Sequence, residues 1–496
     1  MKIERETVLR LEQHLLAGEV PAEFHAVLLE VVRHFLSCRH RRGARPSSER
    51  RAKRRDKAAV KGKPRGHGRL DARDYPGAEH ASCPHPDLKS GGACPMAGCQ
   101  GRLHRFRRDD DVVLSGAAPI QAVVYEREVL RCGSCETTFT AALPEDVSAS
   151  RFHPSADAVV SVMRYGLGMP HHRLAQWQKW SGMPFPPSTQ FERMEKLANA
   201  VHPVHRQWMK LAANQEVVFG DDTGVRILEL QQDNLTRAPG ERTGTYTSGF
   251  VARALEPDKP ALALYASGRR HAGENLDLLL EQRAAEQPDV IHMADAASRD
   301  PSYGKRVAAR CLAHARRHFV EAQEAFPDQC DHVLDAIASV YQHEAQTREM
   351  DPTARLAHHQ QHSAPVMTAL LEWMDEQVRE RLVEPNSRLG RAFRYVKRHW
   401  EGLTSFLRVA GAPLDNNPIE RELRTAVRHR KNSLFYKSQA GAGVGDVLMS
   451  AIRTCVLNRV DPVHYLTAVG AHASRVRGAP EAWLPWTYKQ TLAALN

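Results

Sequence analysis

The stretch EVVFGDD, residues 216–222, reads as a short β-prone run that ends in two aspartates. Its consecutive Val, Val and Phe suit a pleated surface better than the spaced stripe of a surface helix. Downstream, TYTSGFVARA (245–254) and PALALYAS (260–267) repeat that character between polar turns. A helix is expected from Glu274 to Ala285, then a fourth strand at VIHMA (290–294), which runs into Asp295. Beyond 305 the chain reads as helical to about 410, with a polar His/Gln-rich stretch near 357–362, and a last helical block covers 417–428 and 445–459. Upstream, 152–213 is helical in pattern, with apolar positions at Val159, Val160 and Met163 and again at Leu174, Trp177 and Trp180. Ser188 is expected to cap a long helix through Met194, Leu197 and Val201. Two helices around the SGMPFPP turn resemble a helix-turn-helix, although seven residues are long for that turn.

Three antiparallel strands, a helix, a fourth strand and further helices is the order of a ribonuclease-H-like domain. In that topology the first and fourth strands lie side by side, so Asp221 (or its neighbour Asp222) and Asp295 emerge at one edge of the sheet. Glu420, in PLDNNPIERELR (413–424), sits on a late helix able to pack across that edge. Three carboxylates there suit phosphodiester chemistry, in which two Mg²⁺ or Mn²⁺ ions roughly 3.5–4 Å apart share ligands and still hold water and a phosphate oxygen. One ion activates a water or a DNA 3′-hydroxyl and the other stabilises the leaving oxygen. The plain alternatives are that an aspartate at a strand end is a turn residue, and that Asn417, Pro418 and Glu420 are N-cap, N1 and N3 of a helix.

At 496 residues the chain exceeds a single core. Its 42% hydrophobic and 26% charged residues are those of an ordinary soluble protein. The start, MKIERETVLRLEQ, reads as neither signal nor transit peptide, and no stretch approaches the roughly 20 consecutive apolar residues of a membrane span. A cytoplasmic protein is expected, with no membrane partner. The net charge of +11 has one source: between Arg39 and Arg69 lie 14 Lys/Arg against two acids, Glu49 and Asp56. Such a block favours a polyanion through counterion release, so Arg41, Arg42, Arg50, Arg51, Lys53, Arg54 and Arg55 are candidate DNA contacts. A solvated basic tail is the alternative.

Five of nine cysteines fall between 83 and 135. Cys94-x4-Cys99 and Cys132-x2-Cys135, with 32 residues between the pairs, describe a zinc ribbon, because structural Zn²⁺ takes four tetrahedral ligands in a closed site. The first pair is loosely spaced, and Cys83, His85 or His104 can replace one member.

FGDDTGVRIL (219–228), ADAAS (294–298), CLAHARRHF (311–319), PLDNNPIERELR and RKNSLF (430–435), in that order, resemble the insertion sequence 66 family of transposases across roughly 150–460. The resemblance implies a DDE transposase with catalytic and Mg²⁺-binding Asp221, Asp295 and Glu420 and a zinc-binding domain ahead of them. It implies double-stranded DNA as substrate, both element ends and target, a homo-oligomeric synaptic complex, accessory proteins of the element, and a prokaryotic, nucleoid-associated setting. Asp222 and Gly224 depart from the family's Glu and Pro, and Gly443-Val444-Gly445 replaces an acidic position. Cys311 and His314, one turn apart, read as half a zinc site or as packing and phosphate contacts. Arg316, Arg317, Arg421, Arg424, Arg428, Arg430 and Lys431 read as phosphate contacts or as solvated helix faces. A repurposed DNA-binding protein, and a nuclease or resolvase without strand transfer, are the rival functions.

The expected fold is multidomain α+β: a helical segment (1–38), a basic, largely disordered linker (39–80), a zinc-ribbon-like module (81–145) and a helix-turn-helix-like module (146–214). A ribonuclease-H-like catalytic domain follows in two parts (215–320 and 388–460) around a helical insertion (321–387), before a C-terminal segment (461–496).

Overall fold

The structure is a computed structural model that describes residues 88, 90–93, 95–97, 99–103, 119–131, 138–144, 150–256, 258–295 and 306–495. The helices expected over 1–38 and the basic block of 39–80, with Arg41, Arg42, Arg50, Arg51, Lys53, Arg54 and Arg55, lie outside these residues. The chain divides into two compact units, Met1–Ser115 and Gly116–Asn496.

In the first unit Ala93 and Arg102 form an antiparallel bridge. Gly91 and Leu103 donate to Leu103 and Gly92 carbonyls at 2.8 Å each, closing a loop whose Cys99 N–H bonds the Met96 carbonyl at 3.1 Å.

The second unit begins with β1 (Val129–Arg131) and β2 (Thr138–Thr140), an antiparallel pair with Leu130 opposite Phe139. Three helices follow: α1 (Pro154–Ser161), which continues as a π-helical turn to Gly166, α2 (His171–Trp180) and α3 (Pro187–Ala213). Ser188 is not the cap expected of it. Pro186 takes the N-cap position and Pro187 enters the helix, where its fixed φ and missing N–H cost nothing. The apolar stripe of α2 is also only partly core, since Leu174 is buried whereas Trp180 is 76% exposed.

Among the described residues five strands form one mixed sheet: β3 (Val217–Gly224), β4 (Tyr246–Arg253), β5 (Leu262–Gly268), β6 (Val290–Ala294) and β7 (Arg306–Arg310), in the order β5-β4-β3-β6-β7. β3–β4 and β4–β5 are antiparallel, while β3–β6 and β6–β7 are parallel. The expected neighbours, first and fourth strands, are therefore adjacent. Val217, Val218, Phe219, Val290 and Met293 are buried, as central strands covered on both faces require. Between β5 and β6 lies α4 (Ala272–Leu280), which starts earlier than expected because the His271 side chain and Glu274 close a capping box. β7 lies in a stretch expected to be helical; Arg306 and Arg310 bracket only three apolar residues, and the strand sits at the sheet edge.

After β7 come α5 (Leu312–Ala322), α6 (Pro327–Gln346), α7 (Pro352–Arg379) and α8 (Arg388–Arg398), then α9 (Asn417–Ser433), α10 (Gln439–Leu457) and α11 (Pro462–Ala471). α10 seals the other edge of the sheet by an unusual ladder. Asp446, Ser450, Thr454 and Asn458, each four residues apart on one helix face, accept the N–H groups of Ser267, Tyr265, Ala263 and Ala261 at 2.7, 3.0, 3.1 and 3.0 Å. Four helical residues rise about 6.0 Å and two strand residues about 6.6 Å, so helix and strand stay in step over four rungs. By length and composition α10 is apolar enough to cross a membrane, yet 72% of that window is buried inside the fold.

Candidate active site

β3 and β6 set the first two carboxylates by register. Phe219 is the Cα partner of Met293 in the parallel pairing. Asp221, within β3, and Asp295, just past the end of β6, each lie two residues further on, so they stand level on neighbouring strands about 4.8 Å apart and project to the same side. The end of β6 is fastened to β7, because Arg310 donates to the Asp295 carbonyl at 3.1 Å and Cys311 N–H to that of Ala294 at 3.2 Å.

Successive strand residues face opposite ways, and this separates the two neighbouring aspartates. Asp222 is used inside the fold: its oxygens accept Ser248 Oγ and the Ala272 N–H at the start of α4, both at 2.7 Å. Among the described residues Asp221 bonds only the adjacent Asp222 N–H, at 2.8 Å, and it is pushed up to about 7. Burial is the main cause, and the negative charges of Asp295, Asp222 and Glu420 add to it. Electrostatic coupling to both Asp295 and Glu420 puts all three expected acids in one neighbourhood.

This has a consequence for stability. Below pH ~3 Asp221 is protonated in folded and unfolded chains alike. As pH rises toward 7 the unfolded carboxylate ionises while the folded one keeps its proton, and the resulting penalty is complete above about 7. Asp221→Asn should therefore stabilise the metal-free protein by about 2 kcal/mol at pH 8, after a discount for solvent screening, and by almost nothing at pH ~3. Melting curves of both proteins at the two pH values check this; an equal difference at both would remove the charge explanation.

Glu420 comes from α9, and Asn416 fixes where that helix begins. Asn416 is fully buried. Its backbone N–H donates to Cys311 Sγ at 3.2 Å and its Nδ2 to the Gly220 carbonyl at 3.1 Å, one residue before Asp221. The other end of the helix is held by Arg430, which donates to Thr223 Oγ1 at 3.0 Å and the Gly224 carbonyl at 2.6 Å. The capping box considered for Asn417 and Glu420 does not form. Asn416 is the N-cap and makes no side-chain cap, while Asp415 accepts the Asn417 N–H at 3.1 Å. The Glu420 carboxylate instead lies 3.8 Å from His314 Nδ1. Asn416→Ala removes the link to β3 and should lower activity about a hundredfold through misplacement of Glu420, at a stability cost of about 1–3 kcal/mol. Wild-type rates in a folded Asn416→Ala protein would show that the link does not position the acid.

Cys311, His314 and Glu420 each bring a ligand atom within 4.8 Å of the others. Burial pushes the Cys311 thiol up to about 12, and its sulfur already accepts the Asn416 N–H. Cys311 is thus a packed thiol at the junction of α5 and α9, beside which His314 and the Glu420 carboxylate face each other.

Around the acids, Arg421, Arg424, Arg428 and Lys431 are exposed at helical spacing on α9, and Arg317 is exposed on α5 with Arg316 half-buried beside it. Arg430 is largely committed to β3. Of the expected zinc ligands, Cys94, Cys132 and Cys135 lie outside the described residues. Cys99 is exposed, and its sulfur accepts the Gly101 N–H at 3.5 Å. Asn416 was not foreseen as a functional residue; a buried asparagine leaves no periodic signal.

The family model described as Transposase IS66 family matches residues 149–443, more than half of the chain. The chain is 27% identical over 411 residues to "Uncharacterized protein y4jD" of Sinorhizobium fredii, covering 79% of this chain and 77% of the relative. It is 26% identical over 390 residues to "Uncharacterized protein y4hP" of the same organism, covering 74% and 68%. A sheet that levels two aspartates, with a glutamate delivered by a later helix, therefore lies within a recognised family: the chain belongs to the IS66 family of transposases.

Proposed function

We propose that this transposase is a ribonuclease-H-like DDE enzyme, in which Asp221, Asp295 and Glu420 hold two Mg²⁺ or Mn²⁺ ions for cleavage at element ends and joining of the freed 3′-hydroxyl to target DNA. The observation that carries this reading is the level placement of Asp221 and Asp295 on adjacent parallel strands, with Glu420 coupled to Asp221. The residues fit the metals: an all-oxygen donor set suits hard cations, and a carboxylate pushed up to about 7 by burial, with the charges of Asp295, Asp222 and Glu420 adding to it, is one that dications relieve. Once bound, the ions supply an activated nucleophile and stabilise the leaving oxygen.

The chain's own residues do the positioning. Asn416 and Arg430 lock α9 to β3, so Glu420 keeps its place against the aspartates without reorganisation. His314 borders the Glu420 carboxylate. Exposed Arg317, Arg421, Arg424 and Lys431 orient phosphates, while the basic block before residue 70 adds non-specific affinity. A zinc ribbon of Cys94, Cys99, Cys132 and Cys135 contributes folding and end binding; the spacing of the two cysteine pairs along the sequence and the Cys99 sulfur accepting an N–H two residues on support it. The helical stretch between the second and third acids is an insertion into the catalytic domain. Two ends handled together call for a homo-oligomer, with accessory proteins of the element as further partners in the cytoplasm, at the nucleoid.

The test is incubation of the purified protein with Mg²⁺, a donor DNA carrying element ends and a supercoiled target. Covalently joined molecules support strand transfer. Nicked products without joined ones would replace it with a hydrolytic nuclease, and DNA binding without either product would favour a repurposed binder.

A further inference from the structure

α6 and α7 form a helical hairpin well removed in sequence from the three acids, and its polar interior is not explained by packing. His343 on α6 faces His358 and His362, which are one turn apart on α7. Their ring centroids lie 4.5 Å apart for His358 and His362, 5.7 Å for His343 and His362, and 6.2 Å for His343 and His358. We propose that His343, His358 and His362 form a site for a transition-metal dication of the zinc and nickel class, which clasps α6 to α7.

Three imidazoles converging from two helices suit such a borderline metal, and not Mg²⁺, which prefers oxygen. The i,i+4 spacing of His358 and His362 lets both rings reach one point beside the helix. His358 Nε2 is buried and meets no hydrogen-bond partner among the described residues, a polar atom left for some ligand to satisfy. His362 is exposed and free to turn toward the other two.

A buried relay behind His343 prepares its ring. Arg355 holds Glu344 at 3.0 and 3.1 Å, and His359 Nε2 donates to Glu344 at 2.8 Å. With His359 neutral, its Nδ1 accepts the Ser363 hydroxyl at 2.9 Å, and the Ser363 oxygen accepts Nδ1–H of His343 at 3.0 Å. That direction leaves the lone pair of His343 on Nε2, the atom a metal would take, and metal binding selects it. Metal-bound histidines are commonly oriented in this way by a partner on the second ring nitrogen.

The experiment is Zn²⁺ titration of the metal-stripped full-length protein against a chromophoric chelator, giving equivalents bound and affinity. The cysteine pairs are expected to take zinc as well, so stoichiometry is compared with Cys132→Ser and with His358→Ala/His362→Ala. The double histidine variant should lose one equivalent that Cys132→Ser retains. Ser363→Ala, which cuts the relay, should weaken that equivalent by about 10–100-fold. His362→Ala, on an exposed position, should weaken it with an unchanged metal-free melting curve, which separates ligation from folding. Wild-type stoichiometry and affinity in the double variant would overturn the proposal.

Discussion

Asp295→Asn and Glu420→Gln should each lower Mg²⁺-dependent nicking and joining by at least about a thousandfold while DNA binding stays within a few-fold of wild type. Each change keeps size and hydrogen-bonding capacity but removes one negative charge from a site proposed to hold its metals by charge. Metal ions contribute several kcal/mol to transition-state stabilisation, and about 4 kcal/mol is a thousandfold in rate. Both residues lie where the sheet and α9 are pinned by other groups: Asp295 through its carbonyl to Arg310, Glu420 through Asn416 and Arg430. Neither substitution should therefore disturb the fold, and melting curves would verify that. Activity untouched by both would mean that other carboxylates hold the metals. Asp222→Asn belongs beside them as a contrast: because Asp222 serves Ser248 and α4, its loss should be felt in stability more than in rate.

The second large effect lies away from the acids, where α3 meets α1. Arg193 clasps Asp157 through two bonds of 2.7 Å, with side chains only 8% and 6% exposed, and stacks its guanidinium 4.7 Å from the Phe152 ring centre. Removing one partner strands the other charge away from water, so Asp157→Ala should destabilise the second unit by about 3–5 kcal/mol. Replacing both by apolar residues of similar size, as in Asp157→Leu with Arg193→Met, should recover most of the loss, since no charge is then left buried. Denaturant unfolding of the wild type, single and double variants checks it. A double variant as unstable as Asp157→Ala would show that the pair's geometry, rather than the stranded charge, carries the stability.

The centre of the fold was legible because central strands are written in uninterrupted apolar runs: β3 and β6 announce themselves, and each runs straight into an acid. β7 was hidden because an edge strand tolerates arginines at its ends and keeps too few apolar residues to show a period. The stripe of Leu174, Trp177 and Trp180 misled in the opposite sense, since helical spacing reports a shared face without saying how far that face is covered. At the candidate site the three acids stood out by type and position. What separates Asp221 from Asp222 is alternation combined with what lies on each side, and only the partners Ser248 and Ala272 reveal that. Glu420 had an ordinary role open to it in a helix cap; the role vanished because Asn416 spends its side chain on Gly220, a contact across almost two hundred residues that no local pattern encodes.

The polar ladder between α10 and β5 also bears on how the molecule is made. All five strands have left the ribosome well before Gln439, so for a time the nascent sheet exists with the amides of Ala261, Ala263, Tyr265 and Ser267 facing outward and unanswered. An open strand edge is a template for another chain, and incompletely folded chains are the ones that aggregate. The segment that quenches this edge is synthesised only after every strand of the sheet it covers. Chains that terminate early, or stall before α10 emerges, would thus be the adhesive ones, and their handling falls to chaperones and proteases rather than to the fold itself.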